Sequence, residues 1–165
     1  MAYASAPGWA ERLDRIRAGN GTPPPVIREL GLRAGIEGWE PGRVWGRWTL
    51  DPRYSNPDGS LFGGYLAALA DQALGLVMMT VLDDDSFMTT ADLRLSFFRP
   101  SLGDVWYEAR VVHLGRRSAH VEAEFRDSAG VVLAKASASQ AIVRGHVQAP
   151  DLGAEVENRL TSPAE

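Results

Sequence analysis

Cysteine is absent from this 165-residue chain. That removes a disulfide framework, Cys-ligated zinc or iron–sulfur centres, and any cysteine nucleophile. Positive charge is not in surplus either: 17 Lys plus Arg stand against 21 Asp plus Glu, a formal charge of -4. Broad binding to a nucleic-acid backbone is disfavoured, because no excess of cations is available to displace counterions. The stretch Met1 to Gly19 lacks the basic start and apolar run of a signal peptide, so the cytoplasm is the expected compartment. Also missing are a GxSxG nucleophile elbow, a GxxxxGK phosphate loop and an HExxH zinc motif. His113, His120 and His146 have no metal-site spacing; the first two read as solvated or half-buried residues on adjacent strands, and no metal is expected. What remains has the composition of one globular domain, large enough to bury roughly 68–70% of the surface its unfolded chain exposes.

Hydrophobic periodicity places the elements. Residues 9–18 predict a short amphipathic helix with Trp9, Leu13 and Ile16 on one side, ended by the prolines of GNGTPPP. Residues 30–50 alternate as two strands around a turn at Glu40-Pro41-Gly42-Arg43. Residues 61–82, LFGGYLAALADQALGLVMMTVL, are long enough in principle to cross a bilayer. Asp71 near the middle and the lack of a basic flank argue instead for a core helix buried on all sides, about 33 Å long if fully helical. It is expected to stop at Asp83-Asp84-Asp85, since acids oppose the negative end of a helix dipole. Strands at 87–98, 104–114, 118–126 and 131–143 follow, read as a four-stranded meander. The tail beyond Arg144 is expected to be disordered. There is no internal repeat. The order fits an α+β layer structure in which a curved antiparallel sheet wraps a buried helix.

Asp71 is the only charged residue between Leu61 and Leu82. Burying an unpaired carboxylate is costly, so the fold must give it partners or open it to a cleft. Ala67, Ala68, Leu74 and Gly75 lie three and four residues away, and mostly small side chains let a ligand or a second backbone approach. Two readings stand open: a structural Asp bonded to a loop, or a catalytic or binding carboxylate. The same helix begins at Phe62-Gly63-Gly64, after the turn Asn56-Pro57-Asp58-Gly59-Ser60. Free N–H groups at a helix start can stabilise an oxyanion, and glycine lets a carbonyl come close. Joined to Asp71, this suggests acyl transfer, with a polarised carbonyl and a carboxylate base or nucleophile.

The stretch N-P-D-G-S-L-F-G-G-Y-L-A-A-L-A-D, followed by T-T-A-D-L-R-L-S-F-F-R-P, resembles the hotdog-fold acyl-CoA thioesterases. The resemblance is to the phenylacetate-pathway (PaaI-like) branch of the 4-hydroxybenzoyl-CoA thioesterase superfamily and covers about residues 44–143. It divides the chain into an N-terminal extension (1–43), a hotdog domain (44–144) of about five to six strands, and the tail (145–165). Asn56, Gly63, Gly64 and Asp71 match the family pattern in type and spacing. The resemblance implies that Gly63 N–H polarises the thioester carbonyl while Asp71 of the opposing subunit acts as nucleophile or general base. It further implies that Asn56 holds the attacking water or the carbonyl, and that Thr90 sets a hydroxyl near that water. Phe62 stands where the family has His, which removes an imidazole hydrogen bond and leaves a wall for the acyl group beside Gly64. Arg116 and Arg117 resemble the family's cationic hairpin near the CoA phosphates, or form a solvated turn. The implied protein is a homodimer or dimer of dimers that cleaves an acyl-CoA or acyl-carrier-protein thioester. Coenzyme A enters only as part of the substrate, and no other cofactor, nucleic acid or membrane is involved. Two other functions remain: a non-catalytic acyl-CoA binder marked by Phe62, and a hotdog hydratase, disfavoured because no His adjoins the long helix.

Overall fold

The structure, a computed structural model, describes residues 7–20, 23–32 and 35–144. The expected disorder of the tail, and His146, lie outside the described residues. Two short helices, α1 (Pro7–Arg17) and α2 (Pro25–Glu29), precede a hairpin of β1 (Ile36–Glu40) and β2 (Arg43–Trp48). The long helix α3 (Gly63–Met79) follows, and then β3 (Ser86–Phe97), β4 (Val105–Leu114), β5 (Ser118–Arg126) and β6 (Val132–Arg144).

Helix α1 buries Leu13 completely and half-buries Trp9 and Ile16, as its periodicity predicts. The helix ends before the prolines, at Gly19 with φ 70°, where Asn20 N–H closes on Arg15 O (2.8 Å); the prolines begin α2 instead, which the sequence reading missed. Pro25 opens α2, where its fixed φ suits a helix and its missing N–H has no partner to lose. The β1–β2 link is the expected Pro-Gly turn, with Gly42 at φ 88°, a conformation that glycine adopts without Cβ strain. Gly42 N–H donates to the buried Thr80 hydroxyl (2.8 Å), which ties the hairpin to the C-terminus of α3.

All six strands form one antiparallel sheet in the order β1-β2-β4-β5-β6-β3. The last four strands are therefore not a simple meander. β4, β5 and β6 run in sequence order, but β3 pairs with β6 and lies at the sheet edge. Alternation identifies strands without naming their neighbours; here Leu93, Leu95 and Phe97 pair with Ala138, Ala136 and Ala134.

Helix α3 packs on the inner face of this sheet. Leu66, Leu69, Ala70, Ala73, Leu74, Val77 and Met78 meet Val44, Tyr107, Val121, Phe125 and the β6 alanines in one core cluster. Trp48 stacks on Tyr107 at 4.3 Å within it. The helix is shorter than expected: Thr80 caps its end, its hydroxyl donating to Val77 O (2.6 Å), and Asp83 lies beyond it. At 17 residues it spans about 25 Å. It is also not buried on all sides. Gly64 and Asp71 are exposed and Ala67, Ala68 and Gly75 only half-buried, because one sheet covers one side of a helix. Among the described residues no helix is long and apolar enough to cross a membrane.

Candidate active site

The open side of α3 and the edge strand β3 meet at Asp71. Thr90 on β3 donates its hydroxyl to Asp71 Oδ1 at 2.8 Å, the carboxylate's sole hydrogen bond among the described residues. Oδ2 is left free. The ladder between β3 and β6 shifts register between Thr90 and Asp92, so that Ala91 is an extra residue beside the site. Such bulges re-aim side chains and often lie near functional groups. Behind Thr90 sits Gln140, its cross-strand neighbour, with Nε2 3.3 Å from the Thr90 hydroxyl. Gln140 was not among the residues that the sequence singled out. Its signal was position: the inward alternation Ala134, Ala136, Ala138 ends in a polar side chain that is 1% exposed.

A second group lies at the start of α3. Phe62 is the N-cap at φ -59°, ψ 126°, and its side chain caps nothing. Its own N–H is taken by Tyr54 O (2.8 Å), and Leu61 N–H by Ser101 O (2.8 Å), so the loop enters the helix along a fixed path. Tyr54 is itself stacked on Tyr65 at 3.9 Å. The Gly63 and Gly64 N–H groups have no intrahelical acceptor, as in any first turn, and none elsewhere among the described residues. Two exposed rings, Phe62 and Phe97, lie beside them. A Cβ on Gly64 would lie 2.5 Å from the Phe62 ring, and one on Gly63 would lie 3.4 Å from that of Phe97.

Asn56 stands apart from Asp71. Its amide donates to Ser60 Oγ (3.0 Å) and Leu61 O (3.4 Å), bracing the loop ahead of α3. Asp58 braces the same loop by accepting from Ser60 Oγ and N–H, and those hydrogen bonds hold its carboxyl below the usual range. Arg116 and Arg117 are exposed in the β4–β5 turn and, with Ile142 and Arg144, line a hollow of about 380 Å³. None of these arginines has an acidic partner among the described residues. Ile142 is two residues beyond Gln140, about 7 Å along β6, so this cationic hollow lies near the Asp71 end of the sheet. A larger hollow of about 690 Å³ crosses the outer face of the sheet, where Arg43–Glu108 and Arg110–Glu122 pair across strands. It shares no residue with the Asp71 group. His113 and His120 face each other across β4 and β5, exposed and half-exposed, and no metal-holding cluster forms among the described residues.

Within one chain these parts do not converge. Asp71 follows Gly63 by eight residues, about 12 Å along the helix axis, whereas a carbonyl and its attacking group must meet within about 3 Å.

The family model of the thioesterase superfamily matches residues 58–134, which contain both the helix start and Asp71. A protein of Saccharolobus solfataricus named as an esterase is 32% identical over 111 residues, covering 67% of this chain and 79% of that protein. The chain belongs to the thioesterase superfamily. Its curved sheet around a long helix is the hotdog fold. A solved structure from Ralstonia eutropha, described as a phenylacetic-acid-degradation-related thioesterase, matches with a TM-score of 0.68 at 28% identity, over 78% of this chain and 98% of that one. A Streptococcus mutans protein solved with acetyl CoA shares the fold at a TM-score of 0.61 and 24% identity, over 67% of this chain and 89% of that one. The family match thus spans both the Asp71 carboxylate and the uncapped glycine start of α3.

Proposed function

We propose that the protein is a cytoplasmic acyl-CoA thioesterase whose active site forms between two copies of the chain. The observation that carries this reading is Asp71, alone on an apolar helix, held at Oδ1 by Thr90 and free at Oδ2. Gly63 of one copy supplies the N–H that polarises the thioester carbonyl, and Asp71 of the other takes the proton of the attacking water. The tetrahedral oxyanion collapses, the C–S bond breaks, and the thiolate leaves and is protonated, giving a free acid and a thiol. Nucleophilic attack by Asp71 itself, followed by hydrolysis of the anhydride, gives the same products. Asn56 braces the loop that presents Gly63, with its carbonyl oxygen free to meet the water.

Three features support a second copy. The gap of about 12 Å between Gly63 and Asp71 within one chain favours one, since the proposed chemistry needs both groups at the same carbonyl. The β3 edge runs 12 residues, has no strand on its outer side among the described residues, and carries the exposed Phe87, Leu93 and Phe97. Such an edge is a template for pairing. The small-residue side of α3 lies open beside it. These features support a homodimer, or a dimer of dimers. A coenzyme A moiety in the substrate is supported by Arg116, Arg117 and Arg144, which line a cationic hollow near Asp71, and by the acetyl CoA bound to the S. mutans protein of the same fold.

Phe62 favours one other reading, a binder that has lost turnover, because a phenyl ring donates no hydrogen bond to an oxyanion. The test of both is a panel from acetyl-CoA to aryl-CoA thioesters, with released thiol measured for wild type and Phe62→His. Turnover of apolar acyl groups by the wild type supports the enzyme. A wild type inert throughout, with activity appearing in Phe62→His, makes the protein a binder.

A further inference from the structure

Gln140 is buried in an otherwise apolar row and must find partners there, since an unpaired amide is costly in a core. Both its amide atoms lie near the Thr90 hydroxyl, Nε2 at 3.3 Å and Oε1 at 3.4 Å. The direction of the contact follows from counting protons. A threonine hydroxyl has one proton and two lone pairs, and an ionised carboxylate accepts only. The contact from Thr90 to Asp71 Oδ1 is the shorter, 2.8 Å, and the charge-assisted one, so it takes that proton. The amide must then donate, through Nε2.

We propose that Gln140 is a positioning residue: its amide donates to Thr90 Oγ1, commits the Thr90 proton to Asp71 Oδ1, and reserves Oδ2 for the reacting water. The inference rests on the thioesterase reading for its catalytic consequence, but the hydrogen-bond direction rests only on the distances and on the donors and acceptors present. Gln140 never touches the water or the carbonyl. It acts by removing the rotational freedom of the Thr90 hydroxyl, which otherwise has the amide oxygen as a competing acceptor. Chains of donors of this kind also polarise one another. The Ala91 bulge completes the device, since Thr90 and Gln140 are the last cross-strand pair before the register shifts.

The test is a double-mutant cycle on the full chain, with Gln140→Met, Thr90→Val and the pair, read by thioester kinetics and by urea unfolding. Gln140→Met keeps length and apolar bulk but cannot donate. It should lower kcat roughly 5- to 10-fold with KM unchanged, the loss of one modest hydrogen bond felt at the carboxylate. In the Thr90→Val background the same change should alter kcat by no more than about two-fold, because its route to Asp71 is already cut. Thr90→Ser, which keeps the hydroxyl, should restore the sensitivity to Gln140→Met. Full kcat in a folded Gln140→Met protein, or an undiminished effect in the Thr90→Val background, overturns the proposal. If Gln140→Met does not fold, Gln140→Asn, which withdraws the amide by one methylene, takes its place with the same outcomes. If the wild type cleaves no thioester, the functional reading fails separately and the unfolding cycle decides the hydrogen bond. Non-additive midpoints, with Gln140→Met partly recovering the loss in Thr90→Val, support it, and additive midpoints overturn it.

Discussion

Phe125 and Phe97 are the same residue in opposite settings. Phe125 on β5 is fully buried against Trp48 and the helix-facing core, whereas Phe97 on β3 is 54% exposed beside Gly63. The inner sheet face is finished within one chain: its side chains are apolar, packed and matched to α3. The β3 edge and the open side of α3 are unfinished, with aromatic rings and a carboxylate facing outward. Stability therefore belongs to the first region, and the proposed chemistry to the second.

The largest expected effect breaks the finished region. Phe125→Ala should cost about 3–5 kcal/mol, the usual loss for emptying a packed aromatic site, whereas Phe97→Ala, outside the chain's own core, should cost clearly less. Urea unfolding of the two variants measures the contrast directly. Equal losses would mean that Phe97 is already part of the core.

On the unfinished side, Asp71→Asn should leave the unfolding midpoint in place and lower kcat/KM about 10²-fold or more, a general-base loss. A folded Asp71→Asn enzyme with full activity would return Asp71 to a structural role. A smaller effect is expected at the cationic hollow. Arg116→Ala with Arg117→Ala should raise KM roughly 10-fold for CoA thioesters, with kcat little changed and short thioesters lacking the nucleotide unaffected. Equal effects on both substrates would make the pair a solvated turn.

The smallest effect lies on the outer sheet face. The Lys135 ammonium, with Arg126, holds the Glu124 carboxyl below its ordinary value of 4.5. A depressed folded-state pKa stabilises the fold above the unfolded value, and that contribution disappears as pH falls through the folded one. Lys135→Met should thus lower the unfolding midpoint slightly at pH 7, by less than about 1 kcal/mol for so exposed a pair. The gap to wild type should close as pH drops below 4.5. A gap that persists in acid would assign the loss to packing of the Lys135 stem.

The two regions were also unequally legible in the sequence. Strong alternation placed β4, β5 and β6 to within a residue or two, and Asp71 stood out because nothing near it on α3 is charged. The position of β3 was not legible, because alternation is local whereas pairing depends on a crossover through distant segments. Helix α2 was hidden by prolines that read as a helix stop but start a helix. Thr90 entered only through the family resemblance. Gln140 escaped because ASASQA reads as small and polar, and only knowledge of the inward face makes its burial an anomaly. The open side of α3 was read as buried because an apolar helix carries no mark of how much of it its own sheet will cover.

The central claim is that Gly63 of one copy and Asp71 of another serve the same thioester. Gly63→Pro is the matching probe: proline suits the first helical position, Phe62 already has the extended backbone that precedes proline, and the substitution removes the N–H. Alone, it should lower kcat about 10²–10³-fold, the loss of one oxyanion donor. Gly63→Pro and Asp71→Asn chains, each nearly inactive, are then unfolded together in equal amounts and refolded. In a mixed dimer one site regains both wild-type groups and the other loses both, so random pairing should restore about one quarter of wild-type activity. Activity no greater than the mean of the two parents would contradict the account.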